Sequence, residues 1–337
     1  MGASIAYNLA LRGATDVVLC DRGEIAGGAT GRAMGGVRQQ FSSPEEVLLA
    51  RASIRFFERL GPPLFEQVGY LFVATTPDGW EELRARRELQ SSLGVPVEET
   101  DPGFVLGLRT DDVAGAVFCA QDGIASPPAI TLELVRRAVE LGVEVREHTP
   151  AQDVEADVRV IAAGPWSGEL ARRSGVELPI RPLTRQLIAT APFDAPAELP
   201  MVIEAESGFH FRRREGRLVV AMPDPEPRWG FLDVDETVLD DRLARLAHRY
   251  PPASGLRAAD AWAGPYDMTP DAHPIIGEVA EGVYAACGFS GHGFMQSPAV
   301  GVAVAEEILE GASSFDLSPY RLERFAGGAS FPETVVL

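Results

Sequence analysis

The most informative part of the chain reads Val283-Tyr-Ala-Ala-Cys-Gly-Phe-Ser-Gly-His-Gly-Phe-Met-Gln-Ser-Pro-Ala-Val-Gly301. Its apolar start predicts a short buried strand over residues 283–287, and its glycines predict a loop over residues 288–293. Ser297 followed by Pro298 predicts the cap and first residue of a helix that runs to Leu309. A glycine-rich loop before a helix suits an anionic or electron-rich ligand, because backbone amides approach the ligand closely at a positive helix end.

The same stretch carries a family resemblance. Gly288-Phe-Ser-Gly-His-Gly-Phe294, followed by Ser297-Pro-Ala-Val-Gly301, resembles the flavin loop of the D-amino-acid-oxidase-like family of FAD enzymes. The sarcosine oxidase β-subunit, dimethylglycine dehydrogenase and L-proline dehydrogenase branch is the most similar. Trp262-Ala-Gly-Pro-Tyr-Asp-Met-Thr-Pro-Asp-Ala-His-Pro-Ile-Ile-Gly277 is similar to the family segment that precedes this loop. The resemblance implies an α/β protein, in which a Rossmann-like FAD-binding domain is interleaved with an α+β substrate domain built on an antiparallel sheet.

The composition narrows the functional class. The 337 residues include 49 acidic and 30 basic side chains, and the net charge of −19 argues against nucleic acid or an anionic membrane as a partner. No apolar run approaches the roughly 20 residues that cross a bilayer, and no signal peptide is recognisable, so we expect a cytoplasmic protein. Cys20, Cys119 and Cys287 lack the spacing of metal ligands, so no metal site is expected.

The chain contains no lysine. A Schiff-base lysine, a P-loop lysine and a lysine general base are therefore excluded.

The resemblance also implies a discontinuous domain organisation. The predicted FAD-binding domain comprises residues 1–62, 125–180 and 258–325. The predicted substrate domain comprises residues 63–124 and 181–257, and residues 326–337 are expected to form a loose tail.

The first residues predict part of a nucleotide-binding fold. Residues 2–12 predict a helix closed by Gly13, and residues 16–22 predict a parallel strand that ends in an acid. Asp21 stands 19 residues after Gly2, near the spacing of a ribose-binding carboxylate, so that Gly2 would be the third glycine of G-x-G-x-x-G. The first strand and the first two glycines of that fingerprint are absent, and the family's hairpin after Arg146 is shortened. We expect a native chain that extends further upstream.

A second polar, glycine-rich loop occupies residues 24–41. In the family this segment wraps the flavin, which implies contacts from Arg32 and Arg38. The loop has no histidine or cysteine, and Gly264 stands where another branch carries its flavin-linking cysteine, so non-covalent FAD is expected. The predicted cofactor contacts are Gly2, Asp21, Arg22, Gly28, Ala29, Thr30, Arg32, Gly36, Arg38, Ala163, Gly164, Trp166, Gly288, Gly291, His292, Gly293, Phe294 and Met295.

The implied reaction is oxidation of an amine, in which a hydride leaves the carbon beside nitrogen and water hydrolyses the imine. His292, between two glycines, is the first candidate for a site residue. His210 shares a strand face with Arg212, and either a substrate or a structural role fits it. Arg185 and Arg212 could each hold a substrate carboxylate or simply be solvated. Tyr266 either lines the same pocket or belongs to the core.

The resemblance leaves several alternatives for substrate and acceptor. Met295 stands where sarcosine-oxidising relatives carry lysine, which favours a more apolar small-molecule amine such as proline or a larger N-alkyl amino acid. The absence of lysine also favours a dehydrogenase that passes electrons to a partner protein or quinone, with a hetero-oligomer as one arrangement. The alternatives are a non-catalytic flavoprotein-like subunit, which no longer retains FAD, and a nicotinamide dehydrogenase.

Two local predictions concern other segments. Residues 208–214 and 217–222 predict adjacent antiparallel strands joined by a turn at Glu215-Gly216. Residues 44–60 predict a helix opened by Ser43, with a buried stripe formed by Leu48, Leu49, Ala52, Phe56 and Leu60.

Overall fold

The computed structural model describes residues 1–327 and 332–336 of the chain. The helices there are α1 (Gly2–Leu11), α2 (Pro44–Leu60), α3 (Pro77–Ser92), α4 (Pro127–Glu140), α5 (Ser167–Arg172), α6 (Leu239–Arg249) and α7 (Gly293–Glu310). The strands are β1 (Val18–Cys20), β2 (Gly36–Val37), β3 (Phe65–Glu66), β4 (Tyr70–Ala74), β5 (Val97–Glu99), β6 (Gly115–Cys119), β7 (Gly123–Ala125), β8 (Glu144–Arg146), β9 (Arg159–Ile161), β10 (Arg181–Thr190), β11 (Met201–Glu204), β12 (His210–Arg214), β13 (Arg217–Ala221), β14 (Ala258–Met268), β15 (Ile275–Ala280) and β16 (Val283–Cys287).

The chain forms two compact units. Unit 1 comprises Met1–Ala33, Ser126–Leu183 and Pro265–Val336, and unit 2 comprises Met34–Ala125 and Thr184–Gly264. The main difference from the predicted bounds concerns residues 34–62, which belong to unit 2. They do so because β2 pairs antiparallel with β7 and because Gln90 donates a hydrogen bond to the carbonyl of Phe41.

Small residues allow the helices and strands of unit 1 to approach closely. A side chain at Gly2 would come within 3.3 Å of Leu19, so this glycine permits the packing of α1 on β1 that the sequence predicts. A side chain at Gly301 of α7 would overlap Ser4 of α1. The Ser4 hydroxyl donates to the carbonyl of Ser297 at 2.7 Å, which links the two helices directly.

The strands of unit 1 form two small sheets. In one, β1 pairs parallel with β8. In the other, β16 pairs antiparallel with β15 and parallel with β9. Within the described residues no strand joins the two sheets. The predicted class of mixed helix and sheet is confirmed, with mostly antiparallel pairing in the whole chain.

The helix after the glycine loop begins earlier than the sequence predicts. α7 starts at Gly293, and Pro298 lies inside it rather than at its first position. Proline has no amide for the carbonyl four residues before it, which here belongs to Phe294. The Ser297 hydroxyl donates to that carbonyl at 2.8 Å. Ser297 therefore replaces a backbone bond within the helix, and the predicted capping role is wrong.

Unit 2 is built on a large sheet. Its strand order is β14-β10-β13-β12-β11-β4-β6-β5. The predicted hairpin of β12 and β13 is confirmed, because Arg214 pairs with Arg217 and both turn residues have positive φ, 52° at Glu215 and 71° at Gly216. One face of the sheet is apolar and packs against α6, with a core that includes Phe211, Val220, Leu246 and Tyr250.

The opposite face of this sheet carries polar side chains. His210 and Arg212 alternate with Phe211 on β12, so they point away from the α6 core. Tyr70 on β4 points the same way, and a side chain at Gly36 of β2 would overlap its hydroxyl. The short strands β2, β7 and β3 thus lie against the polar face.

The buried side of α2 differs from the predicted stripe. The buried side of α2 is formed by Val47, Leu49, Ala50, Ile54 and Phe57, whereas Leu48 is 47% exposed. Of the predicted stripe, Leu49 is buried and Ala52, Phe56 and Leu60 are half-buried, so the prediction is wrong at Leu48.

The predicted loose tail is partly packed. The amide of Glu333 donates to the carbonyl of Asp271 at 3.0 Å, and Glu333 and Val335 are buried. Residues 328–331 and 337 of that tail lie outside the described residues.

Candidate active site

The loop between β16 and α7 is shaped by its glycines. Gly288 and Gly291 have φ values of 76° and 99°, in the region that favours glycine. A side chain at Gly288 would come within 2.5 Å of Thr269, and one at Gly291 would overlap the ring of Tyr266. Backbone conformation and neighbouring side chains therefore both require glycine here, and Tyr266 packs directly against the loop.

Asp267 holds the start of this loop, although the sequence analysis did not single it out. Its Oδ2 accepts a hydrogen bond from the amide of Gly288 at 2.7 Å, and its carbonyl accepts one from Ser290. Burial raises the pKa of Asp267, and the amides of Phe289 and Gly288 act in the opposite direction. Asp267 lies within residues 262–277, which resemble the family segment before the flavin loop. This resemblance could have identified Asp267 from the sequence.

The ring of His292 is engaged by protein groups on both sides. The side chain is 2% exposed. Its Nε2 donates to the carbonyl of Ala272 at 3.1 Å, and its Nδ1 lies 3.0 Å from Oε1 of Gln296. These contacts fix the loop to the turn at Ala272 and to the first turns of α7. The ring therefore positions the loop, and the flavin-facing role of His292 stays a prediction.

Several predicted cofactor contacts come together near Trp166 in unit 1. The guanidinium of Arg22 lies over the Trp166 ring at 4.6 Å. A side chain at Gly28 would come within 3.5 Å of the same ring. Arg32 donates to the carbonyls of Gly27 and Gly28 at 2.8 and 3.0 Å and so orders the loop that includes Ala29 and Thr30.

Two further features of unit 1 fit a dinucleotide. Asp21 follows β1, and its Oδ1 accepts the amide of Gly23 at 2.8 Å, which leaves the second carboxylate oxygen for a ribose hydroxyl. Gly164, after Ala163 in the turn that follows β9, has a φ of 52°, and no described residue comes within 4 Å of the side chain that it lacks. The backbone is therefore open to a ligand at this turn. Asp21, Gly164 and the glycine loop are the residues that would hold FAD.

Two of the predicted cofactor contacts lie in unit 2. Gly36 is part of β2, where the Tyr70 hydroxyl requires a glycine. Arg38 follows β2, donates to the carbonyl of Gln40 and lies 3.9 Å from the Phe41 ring.

His210 is a buried neutral histidine on the polar face of unit 2. Burial, together with the positive charges of Arg38 and Arg185, lowers the pKa of His210 to about 4. Its Nδ1 lies 2.8 Å from the carbonyl oxygen of Gly208, to which it donates in the neutral ring. Nε2 is consequently the acceptor atom of the ring.

Arg212 is a buried cation two positions along the same strand. It is 4% exposed, and burial lowers its pKa to about 10. Its Nη2 donates to the carbonyl of Ala125 at 3.3 Å. Within the described ranges its Nε has no hydrogen-bond partner and its guanidinium forms no ion pair. His210 and Arg212 thus share one face of β12, and the charges of Arg38 and Arg185 act on His210. The catalytic roles of His210, Arg185 and Arg212 stay predictions.

A comparison with protein families adds to this geometry. The model of the FAD dependent oxidoreductases (DAO) matches residues 1–307. The chain belongs to the DAO family. FAD is the cofactor of DAO-family oxidoreductases, so the predicted family and cofactor are confirmed.

Individual DAO proteins show the extent of the similarity. The chain is 30% identical to FAD-dependent oxidoreductase domain-containing protein 1 of Bos taurus, covering 100% of this chain and 85% of that protein. It is 27% identical to 4-methylaminobutanoate oxidase (formaldehyde-forming) of Paenarthrobacter nicotinovorans, covering 97% of this chain but only 44% of that enzyme. The solved structure of L-proline dehydrogenase from P.horikoshii superposes with a TM-score of 0.91 at 26% identity, covering 98% of this chain and 96% of that one.

Two types of feature are absent from the described part of this DAO protein. No helix there is both long and apolar enough to cross a membrane. No group of three or more histidine, cysteine, aspartate or glutamate side chains there could hold a metal ion.

Proposed function

We propose that this DAO-family protein oxidises the C–N bond of a secondary or N-methyl amino acid. Bound FAD supplies the acceptor for the hydride that leaves the carbon beside nitrogen, and water hydrolyses the resulting imine to a carbonyl compound and an amine. The observation that carries the proposal is the buried guanidinium of Arg212, which has no carboxylate partner among the described residues.

A buried cation of this kind indicates an anionic ligand. Taking an unpaired charge out of water costs several kcal/mol, and a carboxylate with good geometry repays much of that cost. Arginine also offers two parallel N–H donors, which match the two oxygens of a carboxylate. The α-carboxylate of an amino acid would therefore pair with Arg212, with Arg185 contributing further positive charge beside His210.

His210 suits the amino end of the same substrate. Because Nδ1 donates to Gly208, Nε2 can accept a hydrogen bond from a substrate N–H. The positive charges of Arg38 and Arg185, which disfavour protonation of His210, also disfavour an ammonium group beside it. A neutral amine is the form that can release a hydride, so this environment favours the reactive substrate.

Similarity to known enzymes supports the substrate class. Two of the similar proteins are named for 4-methylaminobutanoate and for L-proline, and both compounds combine a secondary amine with a carboxylate. Met295, which is 9% exposed, places an apolar side chain in the first turn of α7. The proposal therefore favours proline or a larger N-alkyl amino acid over N-methylglycine.

We further propose a dehydrogenase rather than an oxidase. The chain has no lysine to offer fixed positive charge to reduced dioxygen near a flavin. Electrons would then pass to a partner protein or quinone, which is compatible with a hetero-oligomer in the cytoplasm.

The test begins with the visible spectrum of the purified chain after incubation with FAD and desalting. L-Proline, N-methylglycine, N,N-dimethylglycine and 4-methylaminobutanoate are then added separately without oxygen. Bleaching of the flavin bands by one of them, and reoxidation by an artificial acceptor faster than by dioxygen, is the expected result. Retained flavin that none of the amino acids reduces would contradict the proposed substrate class, and faster reoxidation by dioxygen would contradict the dehydrogenase.

A second candidate function has one observation in its favour. The strands of unit 1 form two separate small sheets among the described residues. A flavoprotein-like subunit that depends on a partner and retains no FAD fits that arrangement. In the same experiment, loss of all flavin absorbance on desalting would favour this second function.

A further inference from the structure

A buried carboxylate lies beneath the segment that carries Arg38. Asp122 is 0% exposed and stands in the turn before β7. Its Oδ1 accepts hydrogen bonds from the backbone amide and the side-chain amide of Gln39, at 3.0 and 3.1 Å. Its Oδ2 accepts one from the side-chain amide of Gln40 at 3.0 Å. One carboxylate therefore binds three donors from two consecutive residues.

These contacts fix the backbone on which Arg38 depends. The guanidinium of Arg38 donates to the carbonyl of Gln40 and lies over the ring of Phe41 at 3.9 Å. Gln90 of α3 donates to the carbonyl of Phe41 at 2.8 Å and fixes the far end of the segment. The carbonyl that orients Arg38 thus belongs to a residue whose side chain is held by Asp122.

The chemistry of the site requires a carboxylate. An ionised aspartate only accepts hydrogen bonds, so it satisfies all three amide donors at once. An asparagine would keep one accepting oxygen but would place a donor against Gln40. The groups that face Asp122 are the amides of Gln39 and Gln40 and the thiol of Cys119. Burial raises the pKa of that thiol, so it is uncharged at neutral pH. Burial likewise raises the pKa of Asp122, to about 6, against the effect of its hydrogen bonds.

We propose that Asp122 is a positioning residue for Arg38: it holds residues 38–41 so that the Arg38 guanidinium lies beside His210 and adds positive charge to the site where Arg212 would bind the substrate carboxylate. The binding of a substrate carboxylate at this site rests on the proposed function, whereas the positioning of residues 38–41 by Asp122 does not. The proposed role of Asp122 requires no direct contact with substrate or cofactor.

The first test measures amide hydrogen exchange in peptides that cover residues 36–41, with the full chain loaded with FAD if it retains it. Asp122→Ala removes the acceptor of the Gln39 backbone amide and leaves the side-chain amides of Gln39 and Gln40 with long contacts only, 3.9 Å to Cys119 Sγ and 3.4 Å to the carbonyl of Tyr70. It should accelerate exchange there by about tenfold or more. Asp122→Asn, in which Gln40 can reverse its amide, should show a smaller increase. Wild-type protection of residues 36–41 in Asp122→Ala would overturn the proposal.

Asp224→Ala is the matched control. Asp224 is a second nearly buried aspartate of unit 2, and it pairs with Arg242 of α6 at 2.8 Å. Its removal should destabilise unit 2 without a selective change at residues 36–41. An equal acceleration in both alanine variants would mean general loosening and would also overturn the proposal.

The second test uses the amino acid that bleaches the flavin fastest. Asp122→Asn should raise KM about tenfold while kcat changes less than about twofold, because a misplaced Arg38 weakens carboxylate binding more than the chemical step. A loss confined to kcat would contradict the role of Arg38 in binding. If no amino acid is oxidised, the proposed function fails, and the exchange measurement still decides whether Asp122 positions the segment.

Discussion

Nδ1 of His210 lies 2.8 Å from the carbonyl oxygen of Gly208, which fixes one tautomer of a buried ring. The ring is uncharged because burial and the nearby arginines lower its pKa to about 4. A histidine whose pKa is lower in the folded state than in the unfolded chain takes up its proton preferentially on unfolding. Its contribution to stability is therefore full above the unfolded pKa of 6.5 and is lost as the pH falls towards 4.

His210→Gln should remove this pH dependence. Glutamine can still donate to Gly208 but does not titrate, so the variant should lose less stability on acidification than the wild type. The difference in the change of unfolding free energy between pH 7 and pH 5 should be about 2 kcal/mol. Urea unfolding at both pH values measures it. Equal losses in the two proteins would show that His210 is not held neutral in the folded state.

Arg212→Met should separate stability from substrate binding. Loss of the guanidinium should raise KM for the amino acid substrate about 100-fold or more, because the carboxylate loses its charged partner. The melting temperature should stay unchanged or rise, because an apolar side chain replaces a buried cation that forms no ion pair within the described residues. Steady-state kinetics and thermal unfolding give the two readouts.

Arg249→Met is the control for that prediction. Arg249 is equally buried but pairs with Glu204 and Asp112, each at 2.7 Å. Its replacement leaves the nearly buried carboxylate of Glu204 without its charged partner and should cost about 3 kcal/mol of stability. If Arg212→Met were as destabilising, the guanidinium would be a structural element and not a ligand site.

Ser297 and Pro298 should show strong energetic coupling. Ser297→Ala removes the hydroxyl hydrogen bond to the carbonyl of Phe294, and should cost about 1 kcal/mol. In a Pro298→Ala background the backbone amide returns, so the same change should cost much less. Chemical unfolding of the four proteins of the double-mutant cycle measures the coupling. Additive effects would mean that the hydroxyl does not replace the missing bond.

Gly164→Val should weaken FAD binding. The backbone at Gly164 is open, with no described residue within 4 Å of the side chain that it lacks, and a ligand that approaches this turn would meet the new methyl groups. Gly175→Val is the matched control, because Gly175 also has a positive φ, 74°, and an open environment. Both variants carry similar backbone strain, so only the first should lose flavin absorbance on desalting. Equal retention would place the cofactor away from Gly164.

Short-range signals in the sequence predicted several elements correctly. Gly216 signals the β12–β13 hairpin because glycine adopts the positive φ of this turn position without strain, whereas the positive φ of Glu215 has no such signal. Gly2 allows close helix packing because it lacks a side chain. Each of these features depends on residues that are adjacent in the chain or on a fixed spacing.

Features that depend on distant neighbours were not predictable. The Ser-Pro sequence does not distinguish a helix start from a helix interior. Only the structure shows that the Ser297 hydroxyl donates to the carbonyl of Phe294. The stripe of α2 includes Leu49 but not Leu48, because the direction of the core decides which leucine is buried.

The contacts of Asp122 also depend on residues that are distant in the sequence. Asp122 lies 83 positions from Gln39, so neither its burial nor its role could be read from local sequence.

The packing of α1 has a consequence for the order of events during synthesis. α1 is synthesised before α4 and α7, against which it packs, and Ser4 bonds to Ser297, 293 positions later. All of unit 2 up to Gly264 is made before the last segment of unit 1 begins at Pro265. During synthesis, unit 2 can therefore fold while the apolar side of α1 is not yet covered by α7. α1 is therefore made long before α7 covers it, and during that interval its apolar side is accessible to chaperones and proteases.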